Sequence, residues 1–272
     1  LRRGWPCLAA GLIALCFARL PAGMAAGLVW MCTPFFARSM SRHLDGPSGP
    51  ARADRPFLLY QGALIWGYFT DFLGPENHWL PPDNYQEQPA LGLARRTSPT
   101  NIGLALLCCL AAADLDFISR KKAVDYLSHM LDTVEKLPKW KGHLYNWYDT
   151  ATAQPLSPRY VSTVDGGNLC GCLIALRESL YEWGEDVLAR RAEALSDAMD
   201  FSLLYDRERR LFSIGYDAES GRMTQGWYDL MASEARQTSY LAVARGQVEP
   251  RHWRQVTRML AGEDGYSGMG SW

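Results

Sequence analysis

Three segments of the sequence combine aromatic rings with carboxylates, amides and arginines: Asn77–Pro99, Gly142–Val164 and Leu211–Gly226. Aromatic faces stack on the C–H surface of a pyranose ring, and the polar groups bind its vicinal hydroxyls. A loop that only reverses the chain needs a few Gly, Pro or Asn residues and no cluster of rings. The residue types in these segments therefore indicate a surface that binds carbohydrate.

The side chains that such a ligand would meet lie in these segments and near the starts of the helices that follow. The candidates are Trp79, Asp83, Tyr85, Glu87, Trp147, Asp149, Arg159, Asp165, Asn168, Glu234 and Arg236. Each has an alternative interpretation. Asp165 precedes two glycines and is equally suited to cap a helix, and Trp147 to pack a hairpin. Glu234 lies inside a predicted helix, where most glutamates are solvated or pair with a neighbour.

Other chemistries lack their signatures in this chain. It contains no P-loop, GxGxxG, HExxH or GxSxG motif, and His129, His143 and His252 have no ligand-like spacing. The formal net charge is -1 at pH 7, and no basic stripe is visible, which argues against binding to nucleic acid. The residues therefore indicate no metal and no organic cofactor.

The seven cysteines are interpreted as small buried side chains in a reducing compartment. Their number is odd, and three of them lie in the apolar N-terminal segment. Cys170-Gly-Cys172 lacks the second ligand pair that a zinc site needs. No disulfide framework is predicted.

Helical periodicity dominates the chain from Arg55 onward, beginning with a helix over Arg55–Leu73. Apolar and amphipathic helices then alternate: Ser98–Leu115 with Ser119–Leu137, Asp165–Trp183 with Val187–Tyr205, and Trp227–Gly246 with Pro250–Leu260. Buried inner helices covered by amphipathic outer ones form concentric helical barrels. The unequal connections favour a closed toroid of hairpins over a solenoid. If the inner helices point the same way, the three polar segments gather on one rim. The predicted fold is all-α.

The N-terminal segment Gly4–Met40 has only one charge, Arg19, before Arg38. The apolar stretches on the two sides of Arg19 are each shorter than the roughly twenty residues that span a bilayer. Two short or tilted membrane helices fit best. One helix from Pro21 is the next choice, and a buried hairpin of a soluble protein is the alternative.

The charges after this segment predict its orientation. Arg38, Arg42, Arg52 and Arg55 place the following domain on the cytoplasmic face by the positive-inside rule. The predicted organisation is a membrane segment over 1–43, a Gly/Pro-rich linker over 44–56 and a helical domain over 57–272.

Long motifs in the second part of the chain resemble a known family. They are "WLPPDNYQEQP", "RTSPTNIGL", "GHLYNWYDT", "PLSPRYVSTVDGGNL", "LFSIGYD" and "WYDLMASEARQTSYLAVARG". In order, from about Asn77 to Trp272, they are similar to the glycoamylase-like middle domain of cyclic β-1,2-glucan synthases. The resemblance implies an (α/α)6 barrel that closes a β-1,2-glucan ring by anomer-retaining transglycosylation. It also implies a parent protein in the inner membrane of a bacterium, with a glycosyltransferase before this domain.

The resemblance also assigns residues. Retaining chemistry needs two carboxylic groups about 5–5.5 Å apart. One of the family's two catalytic glutamates matches Glu234, for which general acid/base is favoured over nucleophile. Asp83, Glu87, Asp149, Arg159 and Asp165 match motifs that line the glucan cleft.

The family's second glutamate belongs to a motif beyond Trp272, so the chain matches about half of the toroid. The stretch from Asn168 to Leu211 is also shorter than in most relatives. Two alternatives therefore remain beside the cyclising domain: a β-1,2-glucan hydrolase of the same fold, and an inactive half-barrel that only binds glucan.

Overall fold

The computed structural model describes residues 5–17, 20–40, 54–263 and 266–271. Contacts between Cα atoms divide the chain into two compact units, Leu1–Leu58 and Leu59–Trp272. Arg42, Arg52 and residues 44–53 of the predicted linker lie outside the described residues. The domain boundaries of the sequence analysis therefore stay predictions.

The described residues are rich in helix. The α-helices are α1 Trp5–Phe17, α2 Pro21–Met40, α3 Arg55–Phe72, α4 Pro99–Asp114, α5 Arg120–Lys136, α6 Thr163–Trp183, α7 Asp186–Asp197, α8 Ala235–Ala244 and α9 His252–Gln255, with 3-10 turns at Pro75–Asn77 and Phe201–Leu204.

The first unit contains the predicted pair of N-terminal helices, and two glycines let them approach closely. A Cβ at Gly11 would lie 2.9 Å from the Gly27 carbonyl oxygen, and one at Gly27 would lie 2.8 Å from Leu15. Gly11 also faces Met31, so α1 and α2 run antiparallel. Among the residues that the structure describes, no helix combines the length and the apolar character needed to cross a bilayer.

In the second unit, α4, α6 and α8 lie side by side as the predicted inner helices. A Cβ at Gly103 of α4 would lie 3.0 Å from the Cβ of Cys172 and 3.3 Å from the Cα of Leu169, both in α6. Thr100, one turn earlier in α4, contacts Asp165, also one turn earlier in α6. Because the contacts advance together along both helices, α4 and α6 are parallel and their N-termini share one rim.

The amphipathic helices α5 and α7 cover this layer from outside. Arg191 of α7 donates to both carboxylate oxygens of Glu135 in α5, at 2.8 and 2.9 Å. Such a partly exposed pair stabilises by up to about 1 kcal/mol. The predicted N-cap Ser119 is confirmed, since its hydroxyl accepts from the Lys122 amide at 3.2 Å.

The core lies between the two helical layers. It includes Leu106 and Cys109 of α4 together with Leu173 and Leu176 of α6, all fully or almost fully buried. Burying a leucine side chain contributes about 1.5–3 kcal/mol, so this contact stabilises the hairpin stack. Helix α4 was predicted to be an apolar, buried inner helix. That prediction is wrong at Leu104, which keeps 51% of its surface exposed.

The predicted helix-rich fold is confirmed, and its loops form short antiparallel strands in addition. These are β1 Tyr85–Gln86, β2 Gly92–Leu93, β3 Arg96–Thr97, β4 Lys139–Trp140, β5 His143–Leu144, β6 Tyr148–Asp149, β7 Gln154–Pro155, β8 Tyr160–Ser162, β9 Tyr205–Asp206, β10 Leu211–Ser213, β11 Gly215–Asp217, β12 Arg222–Met223, β13 Trp227–Tyr228, β14 Leu260–Glu263 and β15 Tyr266–Met269. Backbone donors and acceptors of long loops need partners, and pairing between loops supplies them.

The strands join the three polar segments to one another. Strand β3 of the first segment pairs with β6 of the second, in the order β3-β6-β7. Strand β8 of the second segment pairs with β11 of the third, in the order β12-β11-β8. The polar segments therefore form one connected surface over the N-termini of the inner helices.

The third helical pair is shorter than predicted. The helix predicted over Trp227–Gly246 begins only at Ala235, because Tyr228 and Trp227 pair with Phe212 and Ser213 of β10. The helix predicted over Pro250–Leu260 is reduced to the four residues of α9, followed by the β14–β15 hairpin.

Candidate functional site

The inner helices α4 and α6 begin in the same way. Ser98 caps α4 by accepting from the Asn101 amide, and Ser162 caps α6 by accepting from the Asp165 amide, each at 3.2 Å. The serine hydroxyls satisfy these N-terminal amides. The side chains of Asn101 and Asp165 are therefore not used as caps, and the alternative that Asp165 caps its helix is wrong.

Asp165 instead links the two inner helices. Thr100 of α4 donates from Oγ1 to Asp165 Oδ1 at 2.6 Å. The same hydroxyl accepts from the Asn168 amide nitrogen at 3.2 Å. A threonine hydroxyl can donate once while accepting from another group. Thr100, Asp165 and Asn168 thus form one hydrogen-bonded cluster at the rim.

The second polar segment attaches Trp147 to this cluster. With its amide oriented to satisfy both neighbours, Asn146 donates to Asp165 Oδ2 at 2.9 Å and accepts from the Trp147 indole Nε1–H at 3.2 Å. Both oxygens of Asp165 therefore accept hydrogen bonds from protein groups. The next residue, Tyr148, is fully buried and donates to the Pro138 carbonyl at 2.6 Å.

Arg96 connects Trp147 with a second carboxylate, that of Asp83. The Arg96 guanidinium carbon lies 4.4 Å from the centroid of the Trp147 ring, within the range of a cation–π interaction. Its Nη2 and Nε donate to Asp83 Oδ2 at 3.0 and 3.2 Å. Asn101 donates from Nδ2 to the other oxygen of Asp83 at 3.0 Å. Asp83 is accordingly held against the start of α4.

Glu234 is the residue directly before α8, rather than a residue inside a helix. It is exposed and makes no capping hydrogen bond with its side chain. Burial, followed by the charges of Tyr160, Asp165 and Glu234, raises the pKa of Tyr228 to about 12. Electrostatic effects of this kind act over a few ångströms. The charges of Asp165 and Glu234 therefore both act on Tyr228. Arg236, in the first turn of α8, is exposed.

Several other candidates do not join this cluster. The Trp79 ring stacks on His129 of α5, with the ring centroids 4.5 Å apart, so it packs against the outer helix. Tyr85 stacks on Phe72 at 5.7 Å, and Glu87 is exposed in the turn between β1 and β2. Their assignment to substrate binding stays a prediction.

Two further candidates have local structural partners. Asp149 Oδ1 accepts from the amide and the hydroxyl of Thr152, at 2.8 and 3.0 Å, and so closes its own turn. Arg159 is exposed, and its backbone amide donates to Glu219 Oε1 at 3.2 Å. Neither observation tests whether these side chains contact a ligand.

The sequence analysis missed the residues that connect the cluster. Thr100 and Asn101 were not recognised because each is an ordinary polar residue by itself, and Arg96 and Asn146, although visible in the polar segments, were not chosen as candidates. A signal was present in the position of Thr100 and Asn101 directly after Ser98-Pro99, a typical start of a helix. Side chains in the first turn of an inner helix point toward the rim.

The described residues show no group of three His, Cys, Asp or Glu side chains placed to hold a metal ion. The chemical capacity of the site is that of carboxylates, amides, hydroxyls and aromatic rings. Such groups bind polyhydroxylated ligands and transfer protons.

The chain is similar to one curated protein along its whole length. It is 26% identical to the cyclic β-(1,2)-glucan synthase NdvB of Rhizobium meliloti over 406 aligned positions, covering 100% of this chain and 14% of that protein. The resemblance inferred from the motifs is confirmed. This chain therefore corresponds to about one seventh of the length of the synthase. No protein-family model matches it.

Solved structures share the fold. An endo-β-1,2-glucanase from Chitinophaga pinensis, in complex with sophorotriose and glucose, superposes with a TM-score of 0.66 at 15% identity, covering 81% of this chain and 56% of the other. A β-1,2-glucanase from Parabacteroides distasonis superposes with a TM-score of 0.65 at 15% identity, covering 77% and 30%. At this identity the likeness establishes the fold alone. It is the helical fold expected of an α/α toroid.

Proposed function

We propose that this chain binds β-1,2-glucan on the rim formed by the N-termini of α4, α6 and α8. We further propose that it is part of a longer cyclic β-1,2-glucan synthase and contributes Glu234 to ring closure. One observation carries the proposal. Trp147 is joined through Asn146 to the Thr100–Asp165–Asn168 cluster at the rim.

In the proposed reaction the glucan's own end is the acceptor. Retention needs a second carboxylic group about 5–5.5 Å away as nucleophile. This carboxylate bonds to the anomeric carbon as the glucosidic bond breaks, while Glu234, as general acid, gives its proton to the leaving oxygen. Glu234 then takes a proton from the attacking sugar hydroxyl, whose oxygen displaces the carboxylate as the new glucosidic bond forms. We expect the nucleophile to come from another part of the parent protein, as the family resemblance implies.

Hydrolysis is the second candidate, favoured by the two glucanases that share the fold. The same groups would cleave β-1,2-glucan if water replaced the sugar hydroxyl as acceptor. A third possibility is that the chain alone binds glucan without reaction. The location on the cytoplasmic face of a bacterial inner membrane stays a prediction from the arginine pattern.

The proposal is tested by product mass. The chain and the longest protein that contains it are incubated with linear β-1,2-glucan, and the products are analysed by mass spectrometry. A ring is lighter by one water than its open chain of equal length, whereas hydrolysis gives shorter open chains. Binding of β-1,2-gluco-oligosaccharides by the chain alone, measured by calorimetry with β-1,4-linked isomers as controls, tests the glucan site separately. Equal affinity for both linkages would contradict the proposed substrate.

A further inference from the structure

We propose that Trp147 is a preset platform for one glucose ring, and that Arg96 and Asn146 are positioning residues that hold it in place. In this arrangement Asp83 and Asp165 act on the substrate indirectly, through these two side chains. The inference rests on the proposed function, because it specifies how the same rim would hold its sugar.

Arg96 covers one face of the Trp147 indole ring. The Arg96 guanidinium carbon lies 4.4 Å from the ring centroid, and two of its nitrogens donate to the same oxygen of Asp83. Two donors to one acceptor restrict rotation of the guanidinium group. Asp83 is itself fixed by Asn101 in the first turn of α4. One face of Trp147 is thus tied to an inner helix.

Asn146 fixes the polar edge of the Trp147 ring. The indole Nε1–H donates to Asn146, and Asn146 donates to Asp165 Oδ2. Asp165 is fixed in turn by Thr100, 2.6 Å away, in the first turn of α4. The only polar group of the indole therefore has a partner, so a bound sugar need not supply one.

The backbone around Trp147 gives the ring its direction. The next residue, Tyr148, lies in β6 and is fully buried in the core. Successive side chains along an extended chain point to opposite sides. Trp147 therefore points away from the core and stays partly exposed.

A ring held on one face and at its polar edge has little rotamer freedom left to lose. Ordering a flexible side chain on binding lowers the affinity, and a ring that is already fixed avoids most of this cost. The exposed part of the indole is apolar and suits the C–H face of a pyranose. The geometry thus favours sugar stacking over a hydrogen bond from the indole nitrogen.

Residues that flank the third polar segment provide a matched control. Arg209 lies 4.1 Å from the Trp227 ring centroid, and its Nη1 donates to Asp206 at 3.1 Å. Trp227 precedes Tyr228 in β13, so the two side chains point to opposite faces of the strand. This second Asp–Arg–Trp arrangement therefore lies on the opposite face of β13 from Tyr228, the residue on which the charges of Asp165 and Glu234 act.

The test uses the full chain labelled with 5-fluorotryptophan and observed by fluorine-19 NMR, with Trp147→Phe to assign the Trp147 signal. We expect Arg96→Gln and Asn146→Ala each to shift or broaden this signal without ligand. Sophorose should move it in the wild-type chain. We expect Arg96→Gln to weaken binding of a β-1,2-gluco-oligosaccharide about tenfold, which corresponds to the loss of one partly exposed cation–π contact. Arg96→Lys keeps the charge but loses the two-nitrogen contact with Asp83, so it should restore only part of the affinity, and Arg209→Gln should leave the affinity unchanged.

The outcomes separate this inference from the proposed function. Wild-type affinity in Arg96→Gln, or a Trp147 signal that does not respond to a bound β-1,2-oligosaccharide, overturns the platform while glucan binding stands. A Trp147 signal that responds only to glucans of other linkage supports the platform and contradicts the proposed substrate. If no glucan binds, both are wrong.

Discussion

Thr100 and Asp165 lie 65 residues apart in the sequence and meet through a hydrogen bond of 2.6 Å between Thr100 Oγ1 and Asp165 Oδ1. Each residue is in the first turn of its helix. The bond therefore fixes the starts of α4 and α6 relative to each other, at the point where the polar loops meet. It also supplies the hydrogen bond to one of the two carboxylate oxygens of Asp165.

Replacing Thr100 tests this link. Thr100→Val keeps the shape of the side chain but leaves Asp165 Oδ1 without its donor and the Asn168 side chain without its acceptor. We expect the free energy of unfolding to fall by about 1–3 kcal/mol, the usual cost of a partly buried polar group without a partner. Thr100→Ser retains the hydroxyl and should lose much less. Urea unfolding of the three proteins measures the difference, and equal losses for Val and Ser would contradict the role of the hydrogen bond.

Two adjacent glycines of α6 should respond oppositely to alanine. A Cβ at Gly167 would lie 2.9 Å from the Cβ and 3.0 Å from the Cα of Thr238, so Gly167→Ala must push α8 away from α6. A Cβ at Gly166 would meet its neighbours only at 3.5 Å, an ordinary contact. Gly166→Ala should therefore stabilise by up to about 1 kcal/mol through helix propensity. Overpacking at Gly167 should instead cost about 1–3 kcal/mol. Thermal unfolding of the pair provides the comparison, and a change of the same sign in both would refute the close approach.

Acid should destabilise the fold through a buried histidine. Burial lowers the pKa of His143 below 6.5, although a hydrogen bond to the Asp200 carbonyl works in the other direction. The unfolded chain therefore takes up its proton first, and stability that is present above about pH 6.5 is lost as the pH falls. Denaturant unfolding between about pH 7 and pH 5 should show this loss. His143→Asn should reduce the slope. Part of the pH dependence should remain, because burial also lowers the pKa of His252. An unchanged slope in His143→Asn would exclude this histidine as a source.

Glu234→Gln tests the role of this side chain in the reaction while leaving the stability of the fold nearly unchanged. The side chain is exposed and makes no capping hydrogen bond, so the substitution should change the melting temperature very little. In the proposed parent synthase we expect cyclic product to disappear, while linear β-1,2-glucan still accumulates. Loss of a general acid typically slows the step about 100- to 10,000-fold. The products are compared by mass spectrometry with those of Glu249→Gln, an exposed glutamate that follows the C-terminal end of α8. Wild-type amounts of ring from Glu234→Gln would remove this residue from the mechanism.

The helical part of the fold was largely predictable. The periods of α4, α5 and α6 are visible in the sequence, and Ser119 identifies the start of α5 within one residue. Helices form through hydrogen bonds between residues four apart, so a local window contains most of the information. The gathering of the polar loops followed from the same argument, because parallel inner helices bring their starts together.

The β-strands and the links within the site were not predictable in this way. In strand β8, Tyr160 pairs with Asp217 of β11. A strand of two or three residues is too short for a local sequence pattern to predict it. The start of α8 depended on Trp227 and Tyr228 pairing with β10. The sequence alone determined which helices form and which residue types line the rim. Only the tertiary structure decided that Asp165 accepts hydrogen bonds from Thr100 and Asn146 instead of capping its own helix. The reason is that the donors to a carboxylate depend on which distant segments pack next to it.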